Sequence, residues 1–590
     1  MLTALLLSAT LASAQTPILP PLIPWNGASR ALMVPATDPW VTPSEVNGLR
    51  TTPRYDETVA YLNRLVKASP NLKMVSLGRS AEGRDVWMVI ASKERAFTPE
   101  ALRRTGKPVI LAQGGIHAGE IDGKDAGLML LRDMTVRGTK RELLDRVNLL
   151  FVPIFNVDGH ERVSPWSRIN QRGPEISGWR TNARNLNLNR DYMKGDAEEM
   201  QAMIRAIATW QPDLYIDLHV TDGADYQYDV TFGWNGVAGY SPAIAAWLDR
   251  TYRGPVDAHL RAQGHIPGPL IFTDDPLSGV GSGQSDPRLS TGYGDARHLP
   301  TILVENHSLK PYDQRVLGTY VFLEQTLRTV GAEAASLRQA IATERARRPQ
   351  SVPLSWRVPA NAAKQEIEVL GVESRLTLSA VSGDVRREWL GRPVTQRAPL
   401  QQATEVETSV KPARAYWVPA AWREVIAKLD LHGIPYEKLT EAREVDVTMV
   451  RLLDPKFTAA QFEGHVRVTA TEKPERRRER FPAGSVRVST DQPLGTLATL
   501  LLEPSSPDSL FQWGFFNSIL QPTEYVEAYI MEPMAAAMLA EDPKLAEEFR
   551  AKLESDAQFR GDSRARLQWF YERTPWYDER ARLYPVGREE

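Results

Sequence analysis

The chain has 590 residues, a formal charge of −2 at neutral pH and no cysteine. This length predicts two or three domains of roughly 100–200 residues each, and the near-neutral charge excludes a general electrostatic pull towards nucleic acid or anionic membrane. The lack of cysteine excludes disulfides, thiolate ligands and a cysteine nucleophile, so any metal site must be built from His, Asp or Glu.

In chain order, Leu2 to Ala14 is a short apolar segment ending in Ala12-Ser13-Ala14, the small-residue pattern of a signal-peptidase site. It predicts an exported protein, periplasmic or extracellular, cut after Ala14, although no Lys or Arg precedes the apolar run. No later stretch approaches the ~20 apolar residues of a membrane span. Residues 15–45 are proline-rich and aperiodic, a lead-in. From Tyr55, apolar residues at Val59, Leu62 and Val66 mark a helix, and Lys73–Leu77 and Val86–Ile90 read as a hairpin. A helix is expected over Asp122–Met134, a strand over Leu149–Phe155, and a helix capped by Asp196 that ends near Trp210. The strands Leu214–Leu218 and Thr301–Val304 follow.

Strands alternating with helices predict an α/β domain over 46–345, a mixed and mostly parallel twisted sheet with helices on both faces. Residues 350–590 read as an α+β region that turns helical at its end, where Asp542-Pro543 caps a helix carrying Leu545, Phe549 and Leu553 on one face. The basic run Glu472 to Arg480 has acids interleaved and no aromatic residues, and reads as a solvated hairpin loop.

The chemistry begins at Gln113-Gly-Gly-Ile-His-Ala-Gly-Glu120, where an apolar run delivers His117 and Glu120 three residues apart with glycines around them. Imidazole nitrogen and carboxylate oxygen suit zinc, and a catalytic zinc takes three protein ligands with one position open to water. The pair alone does not distinguish a metal clip from two surface residues. The stretch Gly178-Trp-Arg-Thr-Asn-Ala-Arg-Asn-Leu-Asn-Leu-Asn-Arg-Asp-Tyr192 does more, because with it the motifs form an ordered set: His117 and Glu120, Arg180 nine residues before Asn189-Arg190, His219 after one strand and Glu305 after another.

Over roughly residues 50–330 this set resembles the zinc carboxypeptidase family, the carboxypeptidase A-like metallopeptidases, in the subgroup with the arrangement Arg-x-Asn-x-x-x-x-x-Leu-Asn-Arg. The resemblance implies one Zn²⁺ per chain held by His117, Glu120 and His219, with Glu305 as general base and Arg180 on the oxyanion. It also implies that Asn189 and Arg190 bind a terminal carboxylate, which would make the protein an exopeptidase on peptides or cell-wall peptides with a free carboxylate. Two other readings share the sequence: an amidase of this fold acting on cell-wall peptides or N-acyl amino acids, and a non-catalytic peptide-binding protein. The oligomeric state stays open.

Three departures from the family pattern stand out. Asn187 replaces the aspartate that commonly orients the first zinc histidine, Asp191 stands where asparagine is usual after Arg190, and the mobile substrate-closing tyrosine has only Tyr293 as a candidate, close to Glu305 in sequence. His307 is open to a ligand or outer role, Arg184 competes with Arg180 without its spacing, and Arg288, Ser290 and Thr291 lie near the specificity position without a settled register.

Overall fold

A computed structural model describes residues 18–273, 275, 279–360 and 365–590. The expected signal segment therefore lies outside the described residues.

The N-terminal body runs α1 (Tyr55–Ala68), β1 (Leu72–Arg79), β2 (Asp85–Ala91), α2 (Pro99–Arg104), β3 (Val109–Gly114), α3 (Asp122–Met134) and β4 (Asn148–Val152). It continues with α4 (Val157–Glu161), α5 (Glu198–Trp210), β5 (Leu214–Thr221), β6 (Val230–Gly233), α6 (Pro242–Trp247), α7 (Arg253–Ala262), β7 (Pro267–Gly268), β8 (Val280–Ser282), α8 (Ser290–Ala296), β9 (Thr301–His307) and α9 (Tyr312–Ala332). Eight strands form one twisted sheet in the order β1-β2-β4-β3-β5-β9-β6-β7. Its centre, β4-β3-β5-β9, is parallel, and β2 and β6 join antiparallel on either side.

The centre reads as nearly unbroken apolar runs because both faces are covered. Ile110 and Ala112 of β3 face a core shared with α3 and α9, while Val109 and Leu111 face one shared with α5, which is the period of two that a strand imposes. Helix α3 sits so close to the sheet that every one of its residues is buried. Gly127 permits this approach, since a Cβ there would lie 2.1 Å from the Phe151 ring.

The face bearing α5 is completed by the C-terminal region. Val418, Val425, Leu429, Val450, Leu501, Phe511 and Tyr584 belong to the same core as Met200, Met203 and Ile204, so a single hydrophobic core joins the two regions. The C-terminal region contains a six-stranded sheet, and the long strand 385–402 pairs in parallel with β8 of the N-terminal body. Two expectations change here. The basic run 472–480 is the middle of the strand Val468–Phe481, where alternation lets Arg477 pair with Glu475 and Glu479 instead of looping into solvent. The chain ends not on helix but on the strand Leu583–Glu589, which inserts between the strands Ala415–Val418 and Arg443–Phe457. The Asp542 cap stands as read: its carboxylate accepts from the Lys544 and Leu545 amides at 2.9 and 3.1 Å, with Pro543 next.

Candidate metal centre and substrate cavity

Three adjacent parallel strands point their carboxyl ends at one place, the position where α/β sheets bind ligands. β3 ends at Gly114, and Gly115, at φ +69, starts a turn closed by the Glu120 amide on the His117 carbonyl at 2.9 Å. β5 carries His219 and β9 carries Glu305, directly opposite each other in register. His117, Glu120 and His219 are all buried, and their potential ligand atoms lie within 4.8 Å of one another.

Both imidazoles present the same nitrogen inward. His117 Nδ1 is 3.0 Å and His219 Nδ1 3.1 Å from Glu120 Oε2, which also accepts the Val220 amide at 3.1 Å. Each Nε2 faces outward to a fixed partner, His117 to Asn187 Oδ1 at 3.0 Å and His219 to Asp217 Oδ2 at 2.8 Å, the second as an ion-pair contact off the hydrogen-bond axis. Two imidazole nitrogens and a carboxylate oxygen converging in this way, with their outer atoms engaged, fit a zinc ion.

A loop between β4 and α5 supplies the cations. Asn156 ties it to the metal turn, its amide donating to Arg180 O at 3.2 Å and Ile116 O at 3.4 Å. Arg168 Nη2 donates to Glu120 Oε1 at 2.8 Å, and Arg180 Nη1 reaches the same oxygen at 3.4 Å. Asn189 and Arg190 line the same cavity as these arginines; the Ser290 amide donates to Asn189 Oδ1 at 3.3 Å, and Arg190 Nη1 to Asn189 O at 2.7 Å. Together these groups line a cavity of about 340 Å³ with Glu305, Val220, Phe272, Leu289, Thr291 and Leu303.

Burial sets the site's acid–base character. It pushes the Glu305 carboxyl up to about 8, against the pull of His219 and with the help of Glu120 and Asp217. Glu305 Oε2 is buried and has no hydrogen-bond partner among the described residues, which suits a carboxyl that must accept a proton from something else. Burial would also raise Glu120, but His117 and Arg168 outweigh it and hold that carboxyl well below its ordinary range. Arg190 is pushed down by burial and by the nearby guanidiniums of Arg180 and Arg288.

Residues 58–263 match the family profile described as zinc carboxypeptidase. Residues 58–263 carry a zinc carboxypeptidase domain. The match includes the three candidate ligands, Arg180, Asn189 and Arg190, and ends before Glu305, which enters through its register with His219. Carboxypeptidase 2 of Trichophyton tonsurans is 23% identical over 499 residues, covering 81% of this chain and 87% of the relative. A zinc carboxypeptidase of Saccharothrix mutabilis subsp. capreolus is 31% identical over 131 residues, 21% of this chain and 29% of the relative. The solved carboxypeptidase A of Helicoverpa armigera is 20% identical and superposes with a TM-score of 0.36 over 50% of this chain and 74% of that one.

Several expectations for the site need correction. Tyr293 does not line the cavity: it is fully buried in the core, its hydroxyl 2.8 Å from His432 Nδ1 and accepting from Arg297 at 3.0 Å, and Phe272 is the aromatic residue on the cavity wall. Asp191 turns away from the substrate side and accepts from Lys194 Nζ at 2.5 Å and from the Asp196 and Ala197 amides. Asp196 does not cap α5, which has no side-chain cap, and pairs instead with Lys194, Lys428 and His465. His307 is buried against Ala224 O and the Tyr226 ring, Arg184 bonds the Asp196 carbonyl, and Arg288 pairs with Asp508 and Asp286. Ser290 and Thr291 do line the cavity.

Sequence reasoning missed Asp217 and Arg168. Asp217 had a readable signal, an acid two residues before His219 on the same face of a strand. Arg168 had none, because only the folded loop brings it to Glu120. Nor was there any hint that Glu463, from the C-terminal region, accepts the Asn187 amide at 2.8 Å.

Proposed function

We propose that the protein is an exported metallocarboxypeptidase that releases the C-terminal residue of peptides, with one zinc ion per chain and Glu305 as general base. The observation that supports it most is that one cavity is lined by His117 and Glu120 of the His117-Glu120-His219 set, by Glu305 and by Asn189 and Arg190. The relatives named carboxypeptidase and the segment ending at Ala14 agree with it.

Zinc, when bound, acts as a Lewis acid on the scissile carbonyl and makes an adjoining water acidic enough to react near neutral pH. The chain's own groups do the rest. Arg190 grips the substrate's terminal carboxylate, with Asn189 beside it, and so fixes which bond lies over the metal set. Glu305 accepts a proton from the attacking water and returns it to the departing amine nitrogen. Arg180 donates to the carbonyl oxygen as it gains charge. The same cavity is lined by Leu289, Ser290, Thr291 and Leu303 together with the charged Asp222.

The test incubates residues 15–590 with free-acid peptides, their C-terminal amides and N-acyl amino acids, followed by mass spectrometry. Stepwise loss of single residues from free acids alone supports the proposal. Cleavage of N-acyl amino acids or wall peptides in place of ordinary peptides would move the assignment to an amidase, and peptide binding without cleavage or zinc would end the enzymatic reading.

A further inference from the structure

Glu120 divides its two oxygens between different partners. Oε2 faces both Nδ1 atoms, while Oε1 takes Arg168 at 2.8 Å and Arg180 at 3.4 Å. The two arginines are held very differently. The Arg180 side chain is 44% exposed and its contact with Oε1 is the longer, whereas that of Arg168 is 15% exposed. Arg168 Nε donates to Gln171 Oε1 at 3.2 Å, and Gln171 Nε2 donates in turn to Gly119 O at 3.0 Å and Gly173 O at 2.9 Å. The next residue but one, Asn170, anchors the same segment to Asp222 at 2.8 Å. The arginine stem lies flat on the metal turn: a Cβ at Gly119 would come 2.6 Å from Arg168 Cγ. Turn and arginine are shaped around each other.

We propose that Arg168 is a positioning residue. It holds the outer oxygen of Glu120 so that the inner oxygen stays turned to the two imidazoles, and it thereby leaves Arg180 free for the substrate. This inference rests on the zinc reading above. A carboxylate can rotate about its last bond, and a charge-assisted bond from a pinned, planar guanidinium is the strongest available restraint on that rotation. Groups one step outside a metal site typically govern its affinity in this way.

A guanidinium also repels a dication, which opposes the orienting effect. Arg168→Lys separates the two, because lysine keeps the charge and hence the repulsion but loses the Nε donor to Gln171 and the planar fork. The experiment uses the full chain as wild type, Arg168→Lys, Arg168→Met and Arg180→Lys. It measures the zinc dissociation constant by competition with a chromophoric chelator, KM and kcat on a free-acid peptide at saturating zinc, and melting of the metal-free proteins to check folding. Arg168→Lys is expected to weaken zinc about 10- to 100-fold while KM stays within about twofold of wild type. Arg180→Lys is expected to keep the wild-type zinc constant and lose kcat/KM. If Arg168→Lys fails to fold, Arg168→Met, which keeps the stem against Gly119, supplies the comparison and should also bind zinc more weakly than wild type. A zinc constant that is unchanged or tighter overturns the proposal, and a raised KM beside an unchanged zinc constant would make Arg168 a substrate contact instead. Wild type that binds no zinc overturns the metal reading itself and this inference with it.

Discussion

His219 and Glu305 are register partners on neighbouring parallel strands, so a candidate metal ligand and the proposed proton acceptor stand side by side in the sheet. This spacing is set by backbone hydrogen bonds and does not depend on a loop. Glu305→Gln keeps the shape and the hydrogen-bonding capacity but cannot take a proton. It should lower kcat by about 10²- to 10⁴-fold with the zinc content of wild type. Equal turnover by the variant would remove Glu305 from the base role.

The pH dependence follows from the raised Glu305 carboxyl. It works only when ionised, so kcat/KM should fall as pH drops through its pKa. Burial lifts that pKa to about 8 in the metal-free protein, and a dication beside it pulls it down, so the acid limb belongs between the ordinary 4.5 and 8. Stability responds with the opposite sign. A carboxyl whose folded pKa exceeds its unfolded value favours the fold at low pH, and that advantage is lost as pH rises from about 4.5 to 8. Metal-free wild type should therefore lose stability relative to Glu305→Gln over this window. A pH–rate limb at or below 4.5, or parallel melting curves, would contradict the assignment.

Asn187 accepts from His117 Nε2 at 3.0 Å and is itself held by Glu463 from the C-terminal region. Removing the amide in Asn187→Ala should weaken zinc about 10- to 100-fold. Asn187→Asp, which restores a carboxylate behind the imidazole, should tighten it. Chelator competition reads both, and identical constants in all three proteins would show that this outer contact is idle.

Arg190→Met should raise KM for free-acid peptides by about 10- to 100-fold, the loss of one charge-assisted contact worth roughly 1.5–3 kcal/mol. C-terminal amides, which lack the charge, should be affected far less. A parallel loss on both substrates would place Arg190 outside the carboxylate anchor.

Tyr293→Phe tests the corrected residue. The variant leaves His432 Nδ1 and Arg297 without the hydroxyl in a buried setting, so it should cost about 1–3 kcal/mol of stability. Because the ring lies in the core and not on the cavity wall, kcat/KM should stay near wild type. A large kinetic loss without a stability loss would return Tyr293 to the substrate.

The sequence by itself determined the alternating strands and helices, the candidate metal set His117, Glu120 and His219, and the helix over Asp122–Met134. These are encoded by short spacing and by apolar period, which survive in a linear reading. Only the tertiary structure decided that Asp191 turns inward, that Tyr293 is core, that the basic run lies within a strand, that Arg168 reaches Glu120 and that Glu463 reaches Asn187. A side chain's role at such positions depends on which distant segment packs against it. Arg168 lies 48 residues from Glu120, and Glu463 lies 276 from Asn187. No local periodicity carries information across such separations, because the contacts arise only when a shared core brings the segments together.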